Sequence, residues 1–114
     1  MSAGALEAVD RILNRGGDPH DVLHAVAGTL VERGGCAWAA ILVADGGNLV
    51  AAAQAGEERA AERARFAIVF GAHRVGELVA DGCGDREFLE RVALVVSPYC
   101  ATGMTGAAPS EGMP

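Results

Sequence analysis

Two histidines, His20 and His24, stand four residues apart beside Asp21, a spacing at which one helix face presents both imidazoles to a zinc ion. No glutamate follows the first histidine in the metalloprotease pattern, and no third ligand is identifiable, whereas catalytic zinc needs three protein ligands. The pair therefore reads as solvent-facing helix positions, and no metal site is assigned. Cys83 lies between Gly82 and Gly84, just ahead of a helix start, where the positive end of the helix dipole lowers a thiol's pKa. Asp81 and Asp85 oppose that by disfavouring the thiolate. Cys83 is thus the one candidate redox residue, set against a simply exposed thiol. A glycine-flanked turn between a strand and a helix can also cradle a phosphate. Here the third glycine of that fingerprint is absent, and the two aspartates would repel an anion. A tight turn is the better reading.

Trp38 is the single tryptophan and falls on an apolar strand, where packing in a core or interface is favoured over stacking on a ligand. Glu77, inside a later strand, is the one charge that looks out of place. It calls for an arginine partner at a sheet edge or for solvent, and no second group makes it a catalytic carboxylate. Ser2, Ser97 and Ser110 have no triad context. No catalytic residue is assigned.

The chain that carries these residues has 114 positions, a formal net charge of −6 and 51% hydrophobic residues. That length allows one domain. All nine basic side chains are arginines, against fifteen carboxylates. Such a balance lacks the clustered basic face of a nucleic-acid module and the polybasic attraction that holds proteins on anionic lipid. The N-terminal residues carry neither a cationic n-region nor an apolar h-region, and no apolar run reaches the roughly 18 residues of a membrane span. Three cysteines, Cys36, Cys83 and Cys100, are an odd number at wide spacing and do not read as a disulfide framework. A cytoplasmic protein is expected.

Leu6, Val9, Ile12 and Leu13 recur at helical spacing, and Gly16-Gly17 ends that helix. Asp18-Pro19 restarts the chain with a capping carboxylate and a proline suited to the first turn, predicting a second helix from Pro19 to about Arg33. Cys36 to Ala44 is apolar without alternation, the pattern of a strand buried on both faces. Asp45-Gly46-Gly47-Asn48 is a hairpin turn, and Leu49 to Gln54 the return strand. Glu57 to Arg65 is charged and reads equally as a short helix or an exposed loop. Phe66 to Phe70 and Val75 to Asp81 form a second hairpin. Asp85 caps a last helix with Phe88, Leu89, Val92, Ala93, Val96 and Tyr99 inward, which Pro98 should kink or end. The fold class is α+β, with an antiparallel sheet of about four strands and the N- and C-terminal helices packed on one face. The domain is expected over 1–102, with a disordered tail over 103–114.

Several strings add a resemblance to this order: Asp18-Pro19 before the second helix, Trp38-Ala39-Ala40-Ile41, and Phe66-Ala67-Ile68-Val69-Phe70. Arg74-Val75-Gly76-Glu77-Leu78 and Asp85-Arg86-Glu87-Phe88-Leu89-Glu90 complete it. Over roughly residues 4–101 the chain resembles a GAF domain, one of the profilin-like folds. The resemblance implies a module that binds a small molecule or dimerises signalling proteins. The family's free methionine-(R)-sulfoxide reductases use cysteines in and beside a long excursion after the second strand. Here that stretch is only Ala55 to Arg65, which at about 1.5 Å per helical residue spans at most about 16 Å. Neither Cys36 nor Cys100 is in a matching position, so reductase activity is not expected.

Three helices cover one face of such a sheet, yet the central strand is apolar on both. The far face must be shielded by the Glu57–Arg65 segment, a ligand or a second subunit. The first expectation is a stand-alone, non-enzymatic GAF-like regulatory module acting through homodimerisation in signalling. The alternative is a small-molecule sensor whose ligand lies against Trp38, Phe66 and Phe70, with Arg63 or Arg65 meeting an anionic group. The residues name no cofactor.

Overall fold

A computed structural model describes the backbone of residues 3–107 and the side chains of residues 4–101. Helix α1 spans Ala3–Arg15 and α2 Pro19–Glu32. Strands β1 (Trp38–Asp45) and β2 (Asn48–Gly56) follow, then a short 3-10 turn, Ala60–Glu62. Strands β3 (Arg63–Phe70) and β4 (His73–Asp81) precede the final helix α3, Arg86–Ala107. The four strands form one sheet in the order β2-β1-β4-β3, every pairing antiparallel.

The local signals act as their chemistry requires. The Asp18 carboxylate accepts from the backbone N–H groups of His20 and Asp21, so two orphan amides of α2 are satisfied before Pro19 enters the first turn. Asp85 does the same for α3, accepting from the N–H of Phe88 at 3.0 Å. Pro98 does not end α3, which continues to Ala107. A proline lacks the N–H that would reach the carbonyl four residues back, here that of Leu94. The Ser97 hydroxyl donates to that carbonyl at 2.8 Å, so the acceptor keeps a partner. The backbone of 103–107 is thus helical. The remainder of the tail expected from residue 103, residues 108–114, lies outside the described residues.

Helices α2 and α3 lie on one face of the sheet, and α1 packs against both helices. Between them sits the main core, which includes Val9, Val26, Leu30, Ile41, Ile68, Leu78, Val92 and Val96, all fully buried. Each such side chain contributes about 1.5–3 kcal/mol of transfer free energy. The Tyr99 hydroxyl donates to the Leu13 carbonyl at 2.9 Å, tying α3 to the last turn of α1. No helix among the described residues is long and apolar enough to cross a membrane.

The segment that read equally as helix or loop is divided. Glu57 to Arg59 is irregular and leads into the 3-10 turn Ala60–Glu62, while Arg63, Ala64 and Arg65 already belong to β3. Of the run Cys36 to Ala44 expected to be buried on both faces, strand β1 is so only along Trp38 to Ile41, while Leu42, Val43 and Ala44 toward the hairpin are half-buried.

Candidate functional site

The face of the sheet opposite the helices holds a second, smaller apolar cluster of Trp38, Ala40 and Val79, with Leu42 packed against it. Its position follows from side-chain alternation. Ala39 and Ile41 of β1 point into the helix-side core, so Trp38, Ala40 and Leu42 point away from it. On β4 the register pairs Trp38 with Asp81, Ala40 with Val79 and Leu42 with Glu77. On β3 it sets Arg63 opposite Asp81 and Arg65 opposite Val79. Charged residues of opposite sign therefore alternate along two neighbouring strands on one face, and cross-strand and diagonal neighbours can pair.

They do pair. Arg63 donates from Nε to Asp81 Oδ1 at 2.8 Å and from Nη2 to Oδ2 at 2.9 Å, a two-point fit that matches guanidinium to carboxylate geometry. The Arg59 backbone N–H adds a bond to Asp81 Oδ2 at 2.7 Å. Glu58 takes a further bond from Arg63 Nη2. Arg65 and Arg74 each reach Glu77, at 3.0 and 2.9 Å. The Arg63 guanidinium also sits 4.7 Å from the centre of the Trp38 ring, within cation–π range. Asp81 is wholly buried and Trp38 is 8% exposed, so the paired charges form the cover over the apolar cluster.

Electrostatics follow the geometry. The hydrogen bonds from Arg63 hold the Asp81 carboxyl below its ordinary range, against the opposing effect of burial and with help from the Arg59 N–H. Asp81, and after it Glu58, make Arg63 hold its proton still more firmly than a free guanidinium. In the helix-side core, burial pushes the Cys100 thiol up to about 12.

The cysteines require a correction. Cys36 and Cys83 are joined in a disulfide across 47 positions of sequence, so Cys83 is not the exposed free thiol expected. Wide spacing along the chain is no obstacle, because the β1–β4 ladder that ends at Trp38 and Asp81 runs on to set Cys36 and Cys83 opposite each other, with Cα atoms 4.4 Å apart. Cys36 is buried and Cys83 half-buried. Cys100 is free and buried.

Of the residues expected to meet a ligand, Trp38, Arg63 and Arg65 share the far face. Phe66 belongs to the helix-side core, where the Arg86 guanidinium lies 5.1 Å from its ring centre. Phe70 is half-exposed at the end of β3, next to Val69. His20 and His24 are both exposed on α2 with their rings edge to face, and no group of three metal-binding side chains occurs among the described residues. Glu77 finds arginine partners, as its place inside a strand demands. Asp81 escaped the sequence reading as a site residue, although its alternation with Glu77 on β4, facing Arg63 and Arg65 on β3, was the available signal. An open concavity of about 330 Å³ lies at the hairpin end of the sheet, lined by Ala44, Gly47, Asn48, Leu49 and Arg74.

No family model and no curated protein matches the sequence. Solved structures do. The GAF domain from Acinetobacter phosphoenolpyruvate-protein phosphotransferase superposes with a TM-score of 0.70 at 14% identity, covering 94% of this chain and 97% of that one. The type II free methionine-R-sulfoxide reductase from Thermoplasma acidophilum superposes with a TM-score of 0.63 at 13% identity, covering 75% of this chain and 94% of that one. A four-stranded antiparallel sheet with its helices on one face, matched over nearly the whole length of the Acinetobacter domain, is a GAF-like fold.

Proposed function

We propose that this chain is a non-enzymatic, GAF-like regulatory module that works through homodimerisation in cytoplasmic signalling. The observation that carries the reading is the outer edge of β3. It is an edge strand that ends in Val69 and Phe70, 46% and 47% exposed, while α3 beneath the sheet turns Leu94 outward at 64% exposure. An open strand edge with apolar side chains invites pairing with another chain, and a twofold partner is the commonest solution among soluble proteins. The far face, expected to need a ligand or a second subunit, is covered by the chain itself, so it gives no ground for dimerisation and bears only on the sensor alternative. The Trp38 cluster is packed under the chain's own ion pairs, with Arg63, one of the arginines expected to meet a ligand, held by Asp81 and Glu58 instead. The likeness to a GAF domain of a phosphotransferase agrees with a regulatory role.

Light scattering at micromolar to millimolar chain concentration tests the proposal. A twofold mass that falls to the monomer in Val69→Glu and Phe70→Glu supports it, and a monomer throughout the range sinks it. Native mass spectrometry of freshly purified protein discriminates the alternative, since a co-purifying small molecule would favour the sensor reading.

A further inference from the structure

We propose that the Cys36–Cys83 disulfide is a thiol-exchange site whose opening uncovers the Trp38 cluster. The inference is independent of dimerisation. It rests on where the bond lies relative to residues 57–62, which lead into Arg63 over the Trp38 ring and help hold it through Glu58 and the Arg59–Asp81 bond. Residues 57–62 are anchored at both ends by backbone bonds to the immediate neighbours of the two half-cystines. The Glu57 N–H donates to the carbonyl of Ala37, next to Cys36, at 3.0 Å, and the Gly82 N–H, next to Cys83, donates to the Glu62 carbonyl at 3.1 Å. The Ala37 N–H in turn donates to the Asp81 carbonyl at 2.8 Å, and the Asp81 carboxylate holds both the Arg59 N–H and the Arg63 guanidinium. The disulfide thus clamps the end of the β1–β4 ladder beyond Trp38 and Asp81, the end that carries the Arg63–Asp81 part of the cover.

The two sulfurs differ in access. Cys36 is 4% exposed and packed in the helix-side core. Cys83 is half-buried and flanked by Gly82 and Gly84, which put no side chain in the way. Attack is therefore directed at Cys83 Sγ. A thiolate of a small thiol or dithiol forms a bond to Cys83 Sγ as the Sγ–Sγ bond breaks, and Cys36 leaves as a thiolate that takes a proton from water. A second thiolate attacks the reductant's sulfur in the mixed disulfide and releases Cys83. Two thiols are oxidised to one disulfide, and the protein's cystine is reduced to two cysteines. With the bond open, residues 36–37 and 82–84 can part, the anchors of Glu57 and Glu62 weaken together, and Arg63 lifts from Trp38. In a reducing compartment, disulfides are characteristically transient or redox-sensing.

Trp38 is the only tryptophan, so its emission reports on this cluster alone. The unaltered chain is treated with dithiothreitol under native conditions. Emission wavelength, acrylamide quenching, far-UV circular dichroism and limited trypsin digestion are followed. The expected result is a red shift, stronger quenching, an unchanged helical signal, and cleavage after Arg59 and Arg63 faster by on the order of tenfold, with Arg33 and Arg91 unaffected. With oxidised glutathione, Cys36→Ser should form a mixed disulfide through Cys83, and Cys83→Ser should form little through Cys36. Any of three results overturns the proposal: a bond that dithiothreitol opens only in denaturant, opening that leaves Trp38 wavelength and quenching unchanged, or opening that collapses the helical signal and exposes all arginines alike.

Discussion

Arg63 and Asp81 face each other across the β3–β4 ladder, and the carboxylate of the pair is wholly buried beneath the chain's own surface. A buried charge that loses its partner is left uncompensated, which costs far more than the pair itself contributes. Arg63→Met is therefore expected to lower the urea midpoint substantially. Adding Asp81→Asn to that variant should recover part of the loss, because a neutral amide needs no counter-charge. Glu90→Ala, which breaks only the exposed 3.7 Å contact with Arg86, should change stability by less than about 0.5 kcal/mol. Urea titrations of the four proteins make the comparison.

The same pair sets the acid limit of the fold. The Asp81 carboxyl is held below 3.8, its ordinary value, so in acid the unfolded chain binds a proton more readily than the folded one. Its contribution is then complete above the ordinary value and drains away as pH falls through the depressed folded value. Stability measured between pH 6 and pH 2 should decline chiefly below about pH 4. In Asp81→Asn that decline should be shallower, from a lower plateau.

Gly76 of β4 lies opposite Val43 of β1. A Cβ there would run into the Leu42 carbonyl oxygen, with the Leu42 carbonyl carbon and Val43 Cα also within 3.4 Å. These are backbone atoms of the central strand, and they cannot turn aside as a side chain would. Gly76→Ala should cost roughly 1–3 kcal/mol, the usual range for overpacking. Thermal unfolding measures it, with Gly28→Ala, whose Cβ would meet nothing within 4 Å, as the neutral or mildly stabilising control.

Tyr99 bridges two helices that are distant in sequence through one bond to the Leu13 carbonyl. Tyr99→Phe keeps the ring and removes the donor, for an expected loss of about 1 kcal/mol. Ser97→Ala removes the donor that serves the Leu94 carbonyl beside Pro98 and should cost a similar amount. Chemical denaturation of each variant checks both values.

Sequence alone determined the local framework of this protein. Apolar periodicity, the capping aspartates 18 and 85 and the glycine turns act within a few residues of themselves, so helices, hairpins and the α+β class could be read directly. The unalternating run from Cys36 to Ala44 likewise declared a strand buried on both faces, which holds for Trp38 to Ile41 and not for Leu42 to Ala44, near the hairpin end. Tertiary structure decided what lies across strands. Whether Arg63 meets Asp81, whether Cys36 meets Cys83, and whether Phe66 shares a face with Trp38 all depend on register, and a shift of one residue reverses every side chain. The sequence carried the charges and the sulfurs, but only the antiparallel pairing of β1 and β3 with β4 brought partners 18 and 47 positions apart into contact.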